Sequence, residues 1–388
     1  MSELKVISQN EPTKQVVKTT GYWIEYSNGE RHIDVQCGNA AYILGYDDQD
    51  IKQAMTNVPV DFLRGTTGES SAENDALVKT ICDLGSFKSL AWAVSGSDAV
   101  ETAIAMNDVY WASQLLYEKQ GIISISPSYY GTTMLGKHLN GYYPNLGRAR
   151  VVQAPQWKNI DDQVTKEMIC LNTILTTLKT TNSIGCIIFD TAPWLDTLYF
   201  FSENWWRAIR KICDDFGVLM IVDDVAASWG KLGTMYGWQK YGVQPDIVSI
   251  GKSLTGGYSP LGAAVCNQKV HDVLSTKSFM HGHTWSPNMQ GVAAATAATT
   301  KIQSMLDRVP AIEQSIKQIA IDLGLVHRVT GLYGMFDTPK DLTMAKLSAA
   351  GLASSLTSNN GMKIVAPLIA DEEYFTTLKE RLQLALSA

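Results

Sequence analysis

The run Val218-Leu-Met-Ile-Val-Asp223-Asp224-Val225 carries an apolar strand straight into two carboxylates. An acid at the end of a buried strand is costly unless something pairs with it. Twenty-nine residues after Asp223, following Asp246-Ile-Val-Ser-Ile250, comes Gly251-Lys252-Ser253 and then Gly256-Gly257. A lysine at a strand end, flanked by small residues that let a ligand approach, is suited to forming an imine with a carbonyl compound. A third segment, Ser95-Gly96-Ser97-Asp98, lies where a strand turns into a helix. The helix start offers unpaired N–H groups and partial positive charge, Gly96 permits close approach, and Ser97 adds a hydroxyl, which together suit a phosphate. Ser128-Tyr129-Tyr130-Gly131-Thr132 brings a flat ring to the same rim.

Pyridoxal phosphate makes all four demands at once. Its pyridine nitrogen must stay protonated for the ring to accept electrons, which a buried aspartate favours, and its aldehyde carbon needs a lysine amine. Each segment alone has a plainer reading. Lys252 is then a solvated loop residue, Ser95 to Ser97 a helix cap, and Tyr129 and Tyr130 core aromatics. Asp223 and Asp224 could hold a metal, but no histidine lies close in sequence and the strand before them is wholly apolar, so no metal site is expected. His281 and His283 lack further ligands and read as structural.

These residues need elements to position them. Short apolar runs at 91–94, 122–125, 184–189, 218–222, 247–250 and 261–266 read as strands buried on both faces. Helical stretches at 97–116 and 205–215 fill two of the gaps, and the latter should pack Trp205 and Trp206 on the sheet with one face partly exposed. Such alternation implies an α/β fold with a mostly parallel, doubly wound sheet, in which ligands gather at the carboxyl ends of the strands. A hairpin turning at Asn28-Gly29 is expected within 22–35, an Ala-rich helix after Asn288, and a mixed domain from about residue 304. The expected division is an N-terminal segment of a small domain at 1–48, a large cofactor-binding domain at 49–303, and the remainder of the small domain at 304–388.

The 388 residues, 45% hydrophobic and 18% charged, suffice for a large core with a smaller companion. The modest net charge of -6 supplies neither a basic surface for nucleic acid nor a polybasic membrane anchor. Six isolated cysteines read as reduced thiols. With no signal-peptide run and no long apolar span, a soluble, cytoplasmic protein is expected.

The sequence resembles the class III aminotransferases of pyridoxal-phosphate fold type I. Asp223-Asp224-Val225-Ala-Ala-Ser-Trp-Gly230 stands where that family has Asp-Glu-Val-x-x-Gly-x-Gly, and Ile250-Gly-Lys-Ser-Leu-Thr-Gly-Gly-Tyr-Ser-Pro-Leu-Gly262 matches its lysine segment. The resemblance implies that Gly96 and Ser97 bind the phosphate, Tyr129 stacks on the ring, Val225 packs beneath it, Asp223 holds the pyridine nitrogen and Lys252 carries the cofactor. The segment from His281 to Asn288 is similar to one whose threonine reaches the phosphate of the other subunit, so Thr284 implies a homodimer with shared sites. Within the family, the segments around Lys252 and Thr284 look most like the branch of diaminopelargonate synthase and the ω-amine transaminases.

Two departures stand out. Asp190-Thr-Ala-Pro-Trp194 replaces the usual Glu-Pro pair, and 361–368 has Lys363 where an arginine often grips a substrate carboxylate. Trp194, Trp229 and Tyr42 are pocket candidates whose default is core packing. The expected activity is transfer of an amino group from an amine or amino-acid donor to a carbonyl acceptor, with ping-pong kinetics. An intramolecular aminomutase of the glutamate-1-semialdehyde type is the alternative, excluded by a requirement for two substrates. A non-catalytic pyridoxal-phosphate-binding dimer is a third reading, eliminated by product formation after amine addition.

Overall fold

The computed structural model describes residues 14–64, 68–143, 147–154, 160–193, 198–277, 279 and 281–388. Among them the strands form three sheets. The central sheet has seven strands in the order Ser89–Ala93, Gly262–Cys266, Ile247–Ile250, Leu219–Asp223, Ile184–Asp190, Gly121–Ser126 and Ala149–Gln153. The last five run parallel, while Gly262–Cys266 runs antiparallel to both its neighbours. Every residue of Ile184–Asp190 and Leu219–Asp223 is buried, as the unbroken apolar runs require of strands covered on both faces. The edge strand Ala149–Gln153 was not read from sequence. Its buried and open residues are mixed and it carries Arg150 on an exposed position, so it lacks the apolar signature of its neighbours.

Register places the chemistry. Asp190 pairs with Asp223, and Asp223 with Ser249, so three polar side chains stand abreast at the carboxyl ends of adjacent strands. Asp246 helps fix that register at the other end: its carboxylate accepts from Met220 N at 2.8 Å and from Arg210 at 2.9 Å, while Asn267 donates to its second oxygen at 3.0 Å.

The helix Gly96–Ala112 occupies the first expected crossover and Glu203–Phe216 the second. Ser202 caps the latter by accepting from Trp205 N, and Gly217, at φ 60°, ends it in a left-handed turn. Trp205 and Trp206 are 1% and 0% exposed, which corrects the expectation of a partly open face. Phe201 stacks on Trp205 at 3.7 Å and Tyr241 on Trp206 at 4.6 Å, closing off the side left to solvent in a lone crossover helix.

The hairpin forms as read, with strands Trp23–Tyr26 and Arg31–Asp34 joined through Asn28 and Gly29, the latter at φ 83°. Its sheet runs from Val16–Thr20 to Leu352–Ala353, tying the N-terminal strands to the C-terminal part of the chain. The third sheet comprises Val326–Thr330, Tyr333–Asp337 and Gly361–Val365. The Ala-rich helix spans Met289–Gln303. All six cysteines are buried and unpaired.

Candidate active site

Ser95, Gly96, Ser97, Tyr129, Asp223, Val225 and Lys252, which are far apart in sequence, line one cavity of about 450 Å³. The structure brings them together because each follows the carboxyl end of a central strand. Gly96 starts its helix after Ser89–Ala93, with Ser95 as the cap accepting from Asp98 N. Two glycines let that helix start touch the lysine turn: a Cβ built on Gly251 would lie 3.2 Å from Gly96 Cα. The Ser97 hydroxyl accepts from Thr132 N at 3.1 Å, joining the cradle to the loop that bears Tyr129. Tyr130, by contrast, is fully buried and donates to Ile125 O at 2.6 Å, so it is a core residue.

The electrostatics follow from burial. Asp223 is 2% exposed, and its carboxylate accepts from Val225 N at 3.1 Å and from the Ser249 hydroxyl at 3.0 Å. Asp190 accepts from Ala192 N and from the Ser128 hydroxyl, each at 2.9 Å. Desolvation, and for Asp223 the facing Asp190, hold both carboxyls above their ordinary range. Asp224 points away from the cavity, where it accepts from Gly237 N at 2.8 Å, and burial pushes it up to about 7. Lys252 makes no hydrogen bond or ion pair among the described residues. Burial lowers its proton affinity while Asp190 and Asp223 pull the other way. Two desolvated acids and an amine without a hydrogen-bond partner among the described residues thus line one cavity, where a bound cationic ring would offset the cost of ionising the acids.

These features fit pyridoxal phosphate: a cavity of suitable size, a helix start for the phosphate, buried acids for a ring cation, and an amine for the aldehyde. Gly96 is the tightest point, since a Cβ there would sit 2.5 Å from Val225 Cγ1. Gly96→Ala should therefore push Val225 into the cavity and weaken cofactor affinity by about tenfold or more; a titration of the apoprotein that finds the affinity unchanged contradicts this.

Asn39, Gly131, Asp190, Ala226 and Lys363 also line the cavity. Asp190 carried a usable signal, because it ends an apolar strand just as Asp223 does. Lys363, on the strand Gly361–Val365, was marked only by the family position it occupies, and Asn39, from the N-terminal segment, by nothing. Thr284 is exposed and does not line this cavity. His281 contacts Thr102 at 2.8 Å and His283 contacts Asp98 at 3.1 Å. Of the aromatic candidates, Trp229 is fully buried and donates to Thr299 at 2.8 Å, Tyr42 packs between Tyr46 and Tyr258, and Trp194 lies outside the described residues.

An amine transaminase from an uncultivated Pseudomonas species, solved in its pyridoxal-phosphate-bound form, superposes with a TM-score of 0.90 at 21% identity, covering 100% of this chain and 98% of that one. An (S)-enantioselective ω-transaminase from Thermomicrobium roseum does so with a TM-score of 0.90 at 22% identity, covering 97% and 93%. The fold is thus that of the fold type I pyridoxal-phosphate enzymes. In sequence, the adenosylmethionine-8-amino-7-oxononanoate aminotransferase of Geobacter sulfurreducens is 26% identical over 333 residues, 80% of this chain and 73% of that protein. The family model for class III aminotransferases matches residues 6–386, and the chain belongs to that family. It is a pyridoxal-phosphate-dependent aminotransferase.

Proposed function

We propose that the chain moves an amino group between a small amine or amino-acid donor and a carbonyl acceptor at the cavity between Asp223 and Lys252. The observation that carries this reading is the placement of one unpaired amine, two buried carboxyls and a helix start around a single cavity. Bound pyridoxal phosphate supplies an aldehyde to hold the amino group and a ring that draws electrons from the adjacent carbon. Gly96 and Ser97 hold the phosphate, Asp223 keeps a proton on the ring nitrogen, and Tyr129 and Val225 confine the ring. Lys252 would anchor the cofactor through its amine and, once the donor's own amine has displaced it, would take the donor's proton at the freed Nζ and return it. Lys363, reaching the cavity from Gly361–Val365, is the cation placed to meet a substrate carboxylate.

The assembly we infer is a homodimer in which Thr284 serves the partner's phosphate site. The exposure of Thr284 and of Trp285, 69% open, on a loop pinned to the phosphate-binding helix by His281 and His283 supports it. The proposed division at residues 48 and 303 agrees with a sheet that joins N- and C-terminal strands. A cytoplasmic location remains our reading; no described helix is long and apolar enough to cross a membrane.

Initial rates over a grid of amine donors and keto-acid acceptors test the reaction. Parallel double-reciprocal lines for some pair are expected; turnover of a single substrate without an acceptor would instead indicate the aminomutase. Mixing Lys252→Ala with Thr284→Ala subunits tests the sharing. The mixed dimer pairs Lys252→Ala in one chain with the other's missing threonine at that same site, so its second site should be intact and activity should reappear.

A further inference from the structure

Lys231 is a second buried lysine, close to Lys252 but outside the cavity, and the transfer chemistry gives it no task. It is 0% exposed, and its Nζ donates to Ser228 O at 2.6 Å and to the Ser253 hydroxyl at 2.9 Å. No ion pair to it occurs among the described residues. A buried ammonium without a carboxylate partner is strongly disfavoured, so its presence here calls for a reason.

The reason lies in what Ser253 does. Ser253 follows Lys252 directly, and its hydroxyl also contacts Ala40 O at 2.9 Å and Ala41 O at 3.0 Å. One side chain thereby ties the lysine turn to the N-terminal segment and to the loop after Asp223. Lys252 itself sits at φ 47°, a left-handed conformation that a side-chain-bearing residue keeps only where its surroundings hold it. The turn's own hydrogen bonds, Leu254 N to Gly251 O at 3.0 Å and Gly256 N to Ser253 O at 2.9 Å, leave the Ser253 side chain as the outside anchor.

We propose that Lys231 is a positioning residue for Lys252: through the Ser253 hydroxyl, its amine fixes the turn that presents Lys252 to the cavity. Both acceptors of its amine are uncharged oxygens and the side chain is wholly buried, a setting that favours the neutral form. The titratable groups acting on it are Lys252, Asp224 and Cys37; burial and Lys252 push its proton affinity far down, against weaker pulls from the other two. A charge stored there would lower the proton affinity of Lys252, whereas a neutral amine supplies two donors and leaves Lys252 to the carboxyls of its own cavity.

The inference rests on the reading that Lys252 anchors the cofactor, and its test includes a measurement that needs no cofactor. Competitive acetylation of the apoprotein across a pH series, read by mass spectrometry, gives the proton affinity of Lys252. Lys231→Met should leave that value in place, and Lys231→Arg, with an obligatory charge, should lower it by about one unit. Separately, Lys231→Met should weaken pyridoxal-phosphate binding by about tenfold, Ser253→Ala, which also loses the Ala40 and Ala41 contacts, by that much or more, and the double variant should be no worse than Ser253→Ala alone, because the Lys231 link is already broken there. A rise in the Lys252 value in Lys231→Met overturns the neutral state. Unchanged cofactor affinity in Ser253→Ala, or losses that multiply in the double variant, overturn the positioning role. Should Lys231→Met fail to fold, the Ser253→Ala and Lys231→Arg measurements decide the matter alone.

Discussion

Lys252→Ala lowers transamination by about a thousandfold or more while leaving the fold intact. The magnitude follows from removing both the anchoring amine and the group that carries the proton, a contribution of about 10² to 10⁴ in proton transfer alone. Fold retention follows from the structure: the Lys252 amine makes no hydrogen bond among the described residues, and burial already disfavours its charged form. The thermal midpoint of the apoprotein should therefore hold or rise, since an unpartnered buried polar group is removed. The variant should also lack the long-wavelength absorbance of the lysine-bound cofactor, and a small external amine should restore part of the rate. Normal turnover with that absorbance retained would end the assignment of Lys252.

Much of this site could be read before any coordinates because burial forces the sequence to advertise it. Leu219–Asp223 and Ile247–Ile250 are covered on both faces, so the runs leading to Asp223 and Lys252 are apolar save for Ser249, and the charged residue at the end of each is conspicuous. Asp223 and Lys252 stand out for that reason, and Asp190, ending an equally apolar strand, carries the same signal. The helix start at Gly96 was legible for a related reason, since a cap and a glycine together mark a turn from strand to helix.

What escaped has physical causes of its own. Ala149–Gln153 lies at a sheet edge, where one side needs no apolar cover, so its pattern is diluted. The reversal of Gly262–Cys266 left no trace, because a buried strand has the same composition whichever way it runs. Asn39 and Lys363 reach the cavity through tertiary packing of segments more than three hundred residues apart, and no local pattern records such a meeting. Lys231 escaped for the opposite reason: in sequence it is an ordinary charged residue between glycines, and only its complete burial sets it apart.

Asp223→Asn separates stability from function. Asparagine keeps an oxygen that can accept from Val225 N and the Ser249 hydroxyl but cannot carry charge, so the ring nitrogen loses its counterion. Turnover should fall by about a hundredfold or more, and cofactor binding should weaken with it. The apoprotein should respond in the other direction. Asp223 is held above its ordinary range by burial and by Asp190, so the neutral carboxyl is the form the fold accepts. Its contribution to stability is present below the unfolded value of about 4 and is lost as pH rises through the folded value. Asparagine never ionises, so the variant apoprotein should gain on the native one as pH rises toward and past neutrality. Melting both apoproteins from pH 5 to about pH 9 measures this; a native protein whose advantage over the variant grows with pH would show that the carboxylate is already satisfied without a cofactor. Adding pyridoxal phosphate should reverse the order, because the ring cation then pairs with the native carboxylate and finds nothing in the variant. An acid that costs the empty fold stability near neutrality, and returns it when a cation arrives, gives the apoprotein a thermodynamic reason to bind its cofactor.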